Sequence, residues 1–225
     1  MLLYSTFIFN AYLRIVYNKK SIDYEKLSKK AKLYEKMIDT MSKQTQESIN
    51  KILIDCALRL NFSSEPYKGD RLTIFGLRGD SFFAISRYSE HSEFHTINSN
   101  KHYALNKGCI AKGYAHGWHF VSANIPSYDK SPKEYSDFFR HSYNLKHNDI
   151  RDLSMKSRLY AVQRISRRGE KDLGVVVFES LRPNRITEEQ IRNELQKIAE
   201  LSYGYLKVLD MKAEQISSEF DIEIL

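Results

Sequence analysis

Apolar residues recur along this chain in two rhythms, and the changes between them mark out its elements. From about Tyr24 to Leu60 there is no Pro or Gly, and Leu27, Ala31, Tyr34, Ile38, Met41, Thr45, Ser48 and Ile52 follow the alternating four- and three-residue spacing of a heptad seam. Thr45 and Ser48 weaken that seam, after which Ile49, Ile52, Leu53, Cys56, Ala57 and Leu60 form a wider stripe. The pattern predicts one long helix whose first half suits a partner helix and whose second half suits a domain core. A second helix is predicted after Pro183, where Thr187 and Gln190 match a capping box. Ile191, Leu195, Ile198, Ser202, Tyr205 and Leu209 then keep the helical period, and the helix is expected to run to about Glu214.

Between these helices the period drops to two. Arg71 to Leu77 and Ser81 to Tyr88 flank Arg78-Gly79-Asp80, while Arg158 to Arg167 and Leu173 to Ser180 flank Arg168-Gly169-Glu170, so two hairpins are predicted. The run Leu173, Val175, Val176, Val177, Phe178 is apolar on both sides, which places that strand centrally with both faces covered. The connection between the hairpins is too long to be structureless in a compact domain. Cys109 to His116 suits a short helix. Ser131-Pro132-Lys133-Glu134 supplies an N-cap, a first-turn proline and a capping-box glutamate for a helix to about Tyr143. The fold class expected is α+β: a central antiparallel sheet of about five to six strands with the long N- and C-terminal helices packed on one face.

Length and composition narrow the class. The 225 residues exceed one domain of ~150 residues and fall short of two, which suggests one globular domain with helical extensions. With 42% hydrophobic and 28% charged residues and only 9 Gly and 4 Pro, disordered and collagen-like chains are excluded. The net charge of +7 is unevenly placed: Lys19 to Leu60 holds ten basic and six acidic residues, Arg140 to Lys171 nine and three, and the tail after Ala213 four acids and no base. A solvated helix face and a basic hairpin tip at Arg164, Arg167 and Arg168 account for this; a nucleic-acid partner ranks last among the readings. The apolar run Leu2 to Tyr17, followed by Lys19 and Lys20, is short for a span and is broken by Asn10 and Arg14. Packing on protein and association with a membrane surface are its two readings.

The candidate chemistry is sparse. Cys56 and Cys109 are too few for a disulfide scaffold or a four-cysteine zinc site and suit a reducing compartment, so the expected location is the cytoplasm, with the inner face of the membrane as an option through residues 1–17. A helix starting at Cys109 would favour its thiolate, against the alternative of an inert buried thiol. His91, His95, His102, His116 and His119 cluster in sequence, but the segment around His91 and His95 is a poor helix candidate, and no metal site is expected. Glycine-rich phosphate loops and a G-x-S-x-G elbow are absent, and no catalytic role is expected.

The segment Lys107-Gly108-Cys109-Ile110-Ala111-Lys112-Gly113-Tyr114-Ala115-His116-Gly117-Trp118 resembles the glycine-punctuated strand-to-helix segment of the GAF family, and Val121 to Pro126 resembles the extended piece that follows it. Arg158 to Ile165, then Leu173-Gly174-Val175-Val176-Val177 and the helix from Thr187, are similar to the family's closing strands and exit helix, so the resemblance covers about residues 50–212 of a GAF/PAS-like architecture. Independently of the family, Gly108, Gly113 and Gly117 suit positive φ or close backbone approach. With the patterns above, the chain divides into residues 1–20 as an apolar segment, 21–60 as a signalling or dimerisation helix, 61–186 as the core that the resemblance implies is a sensor, 187–213 as a C-terminal helix and 214–225 as an acidic tail.

It further implies a sensory or regulatory domain that binds an unidentified small molecule, dimerises through its terminal helices and passes occupancy to a downstream protein partner; no cofactor is named. Phe83, Ser86, Tyr88, Tyr103, Cys109, Trp118, Tyr160 and Gln163 are the candidate pocket residues. A ligand-free dimeric scaffold and a thiol-based reductase of the same fold are the alternatives. Bilin-binding members attach pigment to a Cys followed by His, whereas Cys109 precedes Ile110. Free methionine sulfoxide reductases of this fold use more than one cysteine in the domain, and here the second, Cys56, falls on the first helix.

Overall fold

The computed structural model describes the backbone of residues 2–62, 69–98 and 100–222, and their side chains except at 2–25, 27, 31, 35, 38 and 211–222. The chain divides into two units, Met1–Gln44 and Thr45–Leu225. Helix α1 spans Leu2–Arg59, so the first unit is helical and the second begins with the last turns of α1. In the first unit, Tyr34 and Met41 of the predicted seam are exposed, as are Leu33 and Met37. The seam positions Leu27, Ala31 and Ile38, and the membrane reading of residues 1–17, lie outside the described side chains.

The second unit is built on one antiparallel sheet. Its strands are β1 (Asp70–Arg78), β2 (Ser81–Tyr88), β3 (His102–Ala104), β4 (Trp118–Val121), β5 (Leu159–Ile165) and β6 (Gly174–Ser180), in the order β3-β2-β1-β6-β5-β4. Every residue of β6 is buried, because β1 and β5 pair with its edges while protein covers both faces. Against one face pack Ile49, Leu53, Cys56 and Ala57 of α1 together with Ile191, Leu195, Ile198 and Leu206 of α6 (Glu188–Ile222). Each such buried aliphatic side chain contributes about 1.5–3 kcal/mol, which makes the apolar stripes of the two helices the reason they dock here. A register shift between Ile74 and Phe75 leaves Ile85 of β2 without a cross-strand partner on β1. The carbonyl oxygen of Ile85 instead accepts from Gln46 Nε2 at 2.7 Å, and Ser86 Oγ donates to Asn50 Oδ1 at 2.6 Å, so the bulge fixes α1 on the sheet.

After the single turn α2 (Ser92–His95), the crossover covers the opposite face with α3 (Gly108–His116), α4 (Pro132–Tyr143) and α5 (His147–Arg151). A Cβ at Gly113 would lie 2.2 Å from Val162 Cγ1, so α3 crosses β5 at a distance only glycine permits. Gly117 ends α3 at φ 82° and turns the chain directly into β4. Lys156 Nζ donates to the Ile150, Arg151 and Leu153 carbonyl oxygens and so closes the C-terminal end of α5.

Several expectations are corrected. The extended piece after α3 is Trp118–Val121, immediately at the end of the helix, not Val121 to Pro126, because Gly117 reverses the chain within one residue. Ser92–His95 forms a single helical turn although that segment reads as a poor helix; the His91 carbonyl oxygen accepts from the amides of Phe94 and His95. Ser131 precedes α4 without a side-chain cap, its backbone lying at φ −145°, ψ 74°. The Thr187–Gln190 box does form, with Gln190 N donating to Thr187 Oγ1 at 3.3 Å and Thr187 N to Gln190 Oε1 at 3.3 Å. Helix α6 passes Glu214 and runs to Ile222, since no Gly or Pro interrupts that stretch. The sheet has six strands; β3 and β4 are too short to leave a period-two signature.

Candidate functional site

Between the sheet and the crossover lies a cavity of about 170 Å3. Its apolar wall comes from Phe75 of β1, Val177 of β6 and Tyr160 of β5 on the sheet side, and from Ile110, Phe139, Leu145 and Leu153 on the crossover side. The rings interlock edge to face: Phe75 meets Tyr103 at 5.3 Å between centroids, and Phe139 meets Tyr160 at 5.7 Å.

The polar part follows from strand register. Arg71, Glu179 and Tyr160 stand opposite one another across β1, β6 and β5, and Thr73 stands opposite Arg87 of β2. Arg71 donates to Glu179 Oε2 through Nε at 2.8 Å and lies 2.6 Å from it through Nη2, while Nη1 donates to Ser154 Oγ at 2.9 Å. In this buried pair Nε and Nη2 converge on one carboxylate oxygen, which with Ser154 satisfies much of the guanidinium. Arg87 donates to Thr73 Oγ1 at 3.1 Å and to the Thr96 carbonyl oxygen at 2.8 Å. Lys101 donates to the Asp152 carbonyl oxygen at 2.7 Å, and Lys107 pairs with Asp149 at 2.8 Å.

Burial, and then the charge of Arg71, lowers the pKa of Arg87. Burial also lowers that of Lys101; Asp152 opposes this, while Arg71 and Arg87 add to it. Burial raises the phenols of Tyr103 and Tyr160. Cys109, at the start of α3, is buried, and burial raises its thiol pKa against a hydrogen bond with Tyr143. Of the two readings of Cys109, the inert buried thiol is the one this environment favours, because loss of water outweighs the helix dipole. Cys56 lies in the core on the other side of the sheet, its thiol pushed up to about 12 by burial and by Glu194.

Of the sequence candidates, the cavity brings together Tyr103, Cys109 and Tyr160. Trp118 and Tyr88 pack on the helix-covered face. Trp118 Nε1 donates to Glu188 Oε1 at 2.8 Å, and Tyr88 donates to Glu90 Oε1 at 2.5 Å. Ser86 is on the same face against Asn50; Phe83 sits beneath the Arg78 guanidinium at 4.8 Å; Gln163 donates to the Arg164 carbonyl oxygen at 3.1 Å. The charged residues Arg71, Arg87, Lys101, Lys107 and Glu179 were not among the candidates. For Arg71, Arg87 and Glu179 the signal was charge at strand positions that alternation assigns to a covered face, above all Glu179 just after the Val175–Phe178 run; Lys101 and Lys107 lie between elements and leave no such signal. Among the described residues no group of three or more His, Cys, Asp and Glu is placed to hold a metal ion, and no helix is long and apolar enough to cross a membrane.

No family model matches this sequence, and no curated protein matches it. Solved structures similar to it are mostly GAF domains. One is the GAF domain of Acinetobacter phosphoenolpyruvate-protein phosphotransferase, at 10% identity and a TM-score of 0.49, covering 78% of this chain and 93% of that one. Another is the GAF domain of a two-component sensor histidine kinase from Bacillus halodurans, at 12% identity and 0.46, covering 72% and 96%. A third is the type II free methionine-R-sulfoxide reductase of Thermoplasma acidophilum, at 13% identity and 0.47, covering 74% and 94%. The six-stranded antiparallel sheet with its helices is of the α+β class expected from the sequence. The expectation of no enzymatic activity is corrected: free methionine-R-sulfoxide reductases are among the similar structures.

Proposed function

We propose that this GAF-like domain binds a small molecule in the cavity between sheet and crossover, and that occupancy is transmitted through its flanking helices to a protein partner, with the chain acting as a homodimer. The observation that carries this reading is the cavity itself, with an apolar wall and a few fixed polar groups at one end, which is the construction of small-molecule sites. Transmission requires that the ligand bind one helix arrangement more tightly than another, and about 1–3 kcal/mol of such coupling is typical. Support comes from Arg185, which joins Asp70 of β1 to the carbonyl oxygen of Leu60 at the end of α1. The terminal apolar segment at residues 1–17 adds a possible route to a membrane surface. Native mass spectrometry of the purified protein tests the reading: a bound small molecule, or a metabolite that raises the melting temperature and alters the dimer equilibrium, is expected. A ligand-free protein whose stability is unchanged across a metabolite panel would mean the ligand-free scaffold reading.

A second reading rests on the position of Cys109 in the wall of the same cavity. In it the bound molecule meets a thiol and the domain acts as a thiol-dependent reductase. Cys109→Ser discriminates: it abolishes turnover of methionine sulfoxide under a reductant in that reading and leaves ligand binding intact in the first.

A further inference from the structure

We propose that the molecule this cavity takes carries an anionic head, a carboxylate or a phosphate, seated against Arg87, Lys101 and the first turn of α3, with its apolar body against Phe75, Ile110 and Phe139. The inference rests on the ligand-binding reading above and specifies the chemistry of the ligand.

Three observations converge on the same end of the cavity. The first is the balance of charge. Arg71, Arg87, Lys101 and Lys107 line it against Asp149, Asp152 and Glu179. Glu179 is engaged by Arg71, Asp149 by Lys107, and Asp152 pairs with Arg151 at 3.1 Å. The side-chain hydrogen bonds of Arg87 and Lys101 go to uncharged oxygens: a threonine hydroxyl and two backbone carbonyls. Among the described residues, these two cations face the cavity without a carboxylate hydrogen bond to neutralise them.

The second is their crowding. Arg87 lies in the field of Arg71, opposed by Glu179, and Lys101 in the field of both arginines, opposed by Asp152, with its ammonium 5.4 Å from the centre of the Tyr103 ring. Like charges gathered in a partly dry site repel, and an anion placed among them removes that repulsion while accepting charge-assisted hydrogen bonds. A cationic ligand would meet the opposite balance.

The third is the start of α3. This nine-residue helix opens into the cavity with Lys107, Gly108, Cys109 and Ile110 in its wall, and the side chain of its N-cap residue, Lys107, does not cap it. Its N-terminal N–H groups and dipole therefore favour negative charge on the same side as Arg87 and Lys101. Phe75, Ile110 and Phe139 leave the remainder of the space apolar, which suits an anion attached to a hydrocarbon or aromatic body rather than a bare ion.

The test uses the full-length protein and matched probes: straight-chain carboxylates, 3-phenylpropanoate, phenyl phosphate and inorganic phosphate, each organic anion beside its neutral amide or alcohol, read by thermal shift and titration calorimetry. At least one organic anion is expected to bind roughly tenfold or more tightly than its neutral counterpart, and Arg87→Gln is expected to erase that preference. Lys101→Gln, at a less enclosed position, gives the same readout if Arg87→Gln does not fold. Carboxylate and phosphate probes separate the two head groups. Equal binding of anion and neutral partner overturns the anionic head while leaving ligand binding standing, as does a preference that survives both variants. Binding of no probe, anionic or neutral, overturns both readings together.

Discussion

Asp70 and Arg71 are adjacent on β1, yet their side chains leave opposite faces of the sheet and each enters a buried ion pair. Arg71 faces the cavity and Glu179, with Nη2 2.6 Å from Oε2. Asp70 faces the helices and accepts from Arg185 Nε at 2.5 Å, while Arg185 also donates to the Leu60 carbonyl oxygen. A ligand that draws Arg71 toward itself acts on the same two residues of backbone that position the end of α1. Alternation of a strand thereby supplies a short mechanical route from one face of the sheet to the other.

Breaking the helix-side pair from one end is expected to be costly. Asp70 is 1% exposed, and burial raises its carboxyl pKa although hydrogen bonds from Ser180 and Arg185 oppose this. Arg185→Gln leaves that carboxylate buried without its cation and should cost about 3–5 kcal/mol. The double variant with Asp70→Asn should recover part of the loss, because the charge is then absent. Urea denaturation of the two single variants and the double variant measures both numbers; additive losses would show that the two side chains do not act as a pair.

Gly113 offers a test of how tightly the crossover sits on the sheet. A Cβ there meets Val162 Cγ1 at 2.2 Å and Val162 Cβ at 2.4 Å, far inside contact distance. Gly113→Ala is expected to destabilise the domain by about 1–3 kcal/mol through overpacking. Val162→Ala in the same chain removes the Cγ1 clash but keeps the Cβ at 2.4 Å, so it should restore only part of the melting temperature. If Gly113→Ala alone melts like the parent, α3 approaches β5 less closely than described.

The long elements were legible in the sequence because their stripes are long: the apolar positions from Ile49 to Leu60 and from Ile191 to Leu209 repeat often enough to name a buried face, and the Val175–Phe178 run names the central strand. The short ones were not. His102–Ala104 and Trp118–Val121 have too few residues for any period, and their strand pairing comes from neighbours remote in sequence. At the site, aromatic type alone does not say which face a residue takes. Tyr160 and Gln163 lie three apart on β5 and so project to opposite sides, and the bulge at Ile85 shifts the phase along β2. Arg71 opposite Glu179 becomes visible only once register pairs their strands.

The two cysteines should resist modification in the native protein. Cys56 belongs to the core on the helix side of the sheet and Cys109 to the core on the cavity side, so the sheet separates them. Both are buried and free, and burial raises both thiols. With a disulfide-exchange reagent near neutral pH, both are expected to react much more slowly than in the denatured chain. Fast labelling of Cys109 alone would instead favour the reductase reading, since it would show a thiolate reachable from the cavity.

The acid side of the stability curve should carry the signature of His119. Its Nε2 lies 3.0 Å from the Tyr143 hydroxyl, and the half-buried ring is lowered below its ordinary value of 6.5 by burial first and then by the charges of Lys112 and His116. Glu188 pulls the other way. The folded state therefore binds a proton at this ring less readily than the unfolded chain. Where the unfolded chain holds more protons, stability rises with pH, so stability is expected to fall as pH drops below about 6.5 and to level off once pH passes below the folded-state value. His119→Gln removes the titrating group and should flatten that part of the curve while carboxylate titration at lower pH remains. Urea midpoints collected between about pH 7.5 and pH 5 for the parent and the variant separate the two contributions. A parent curve with no decline in that window, or a decline that His119→Gln leaves unchanged, would assign the neutral ring no part in holding β4 against α4.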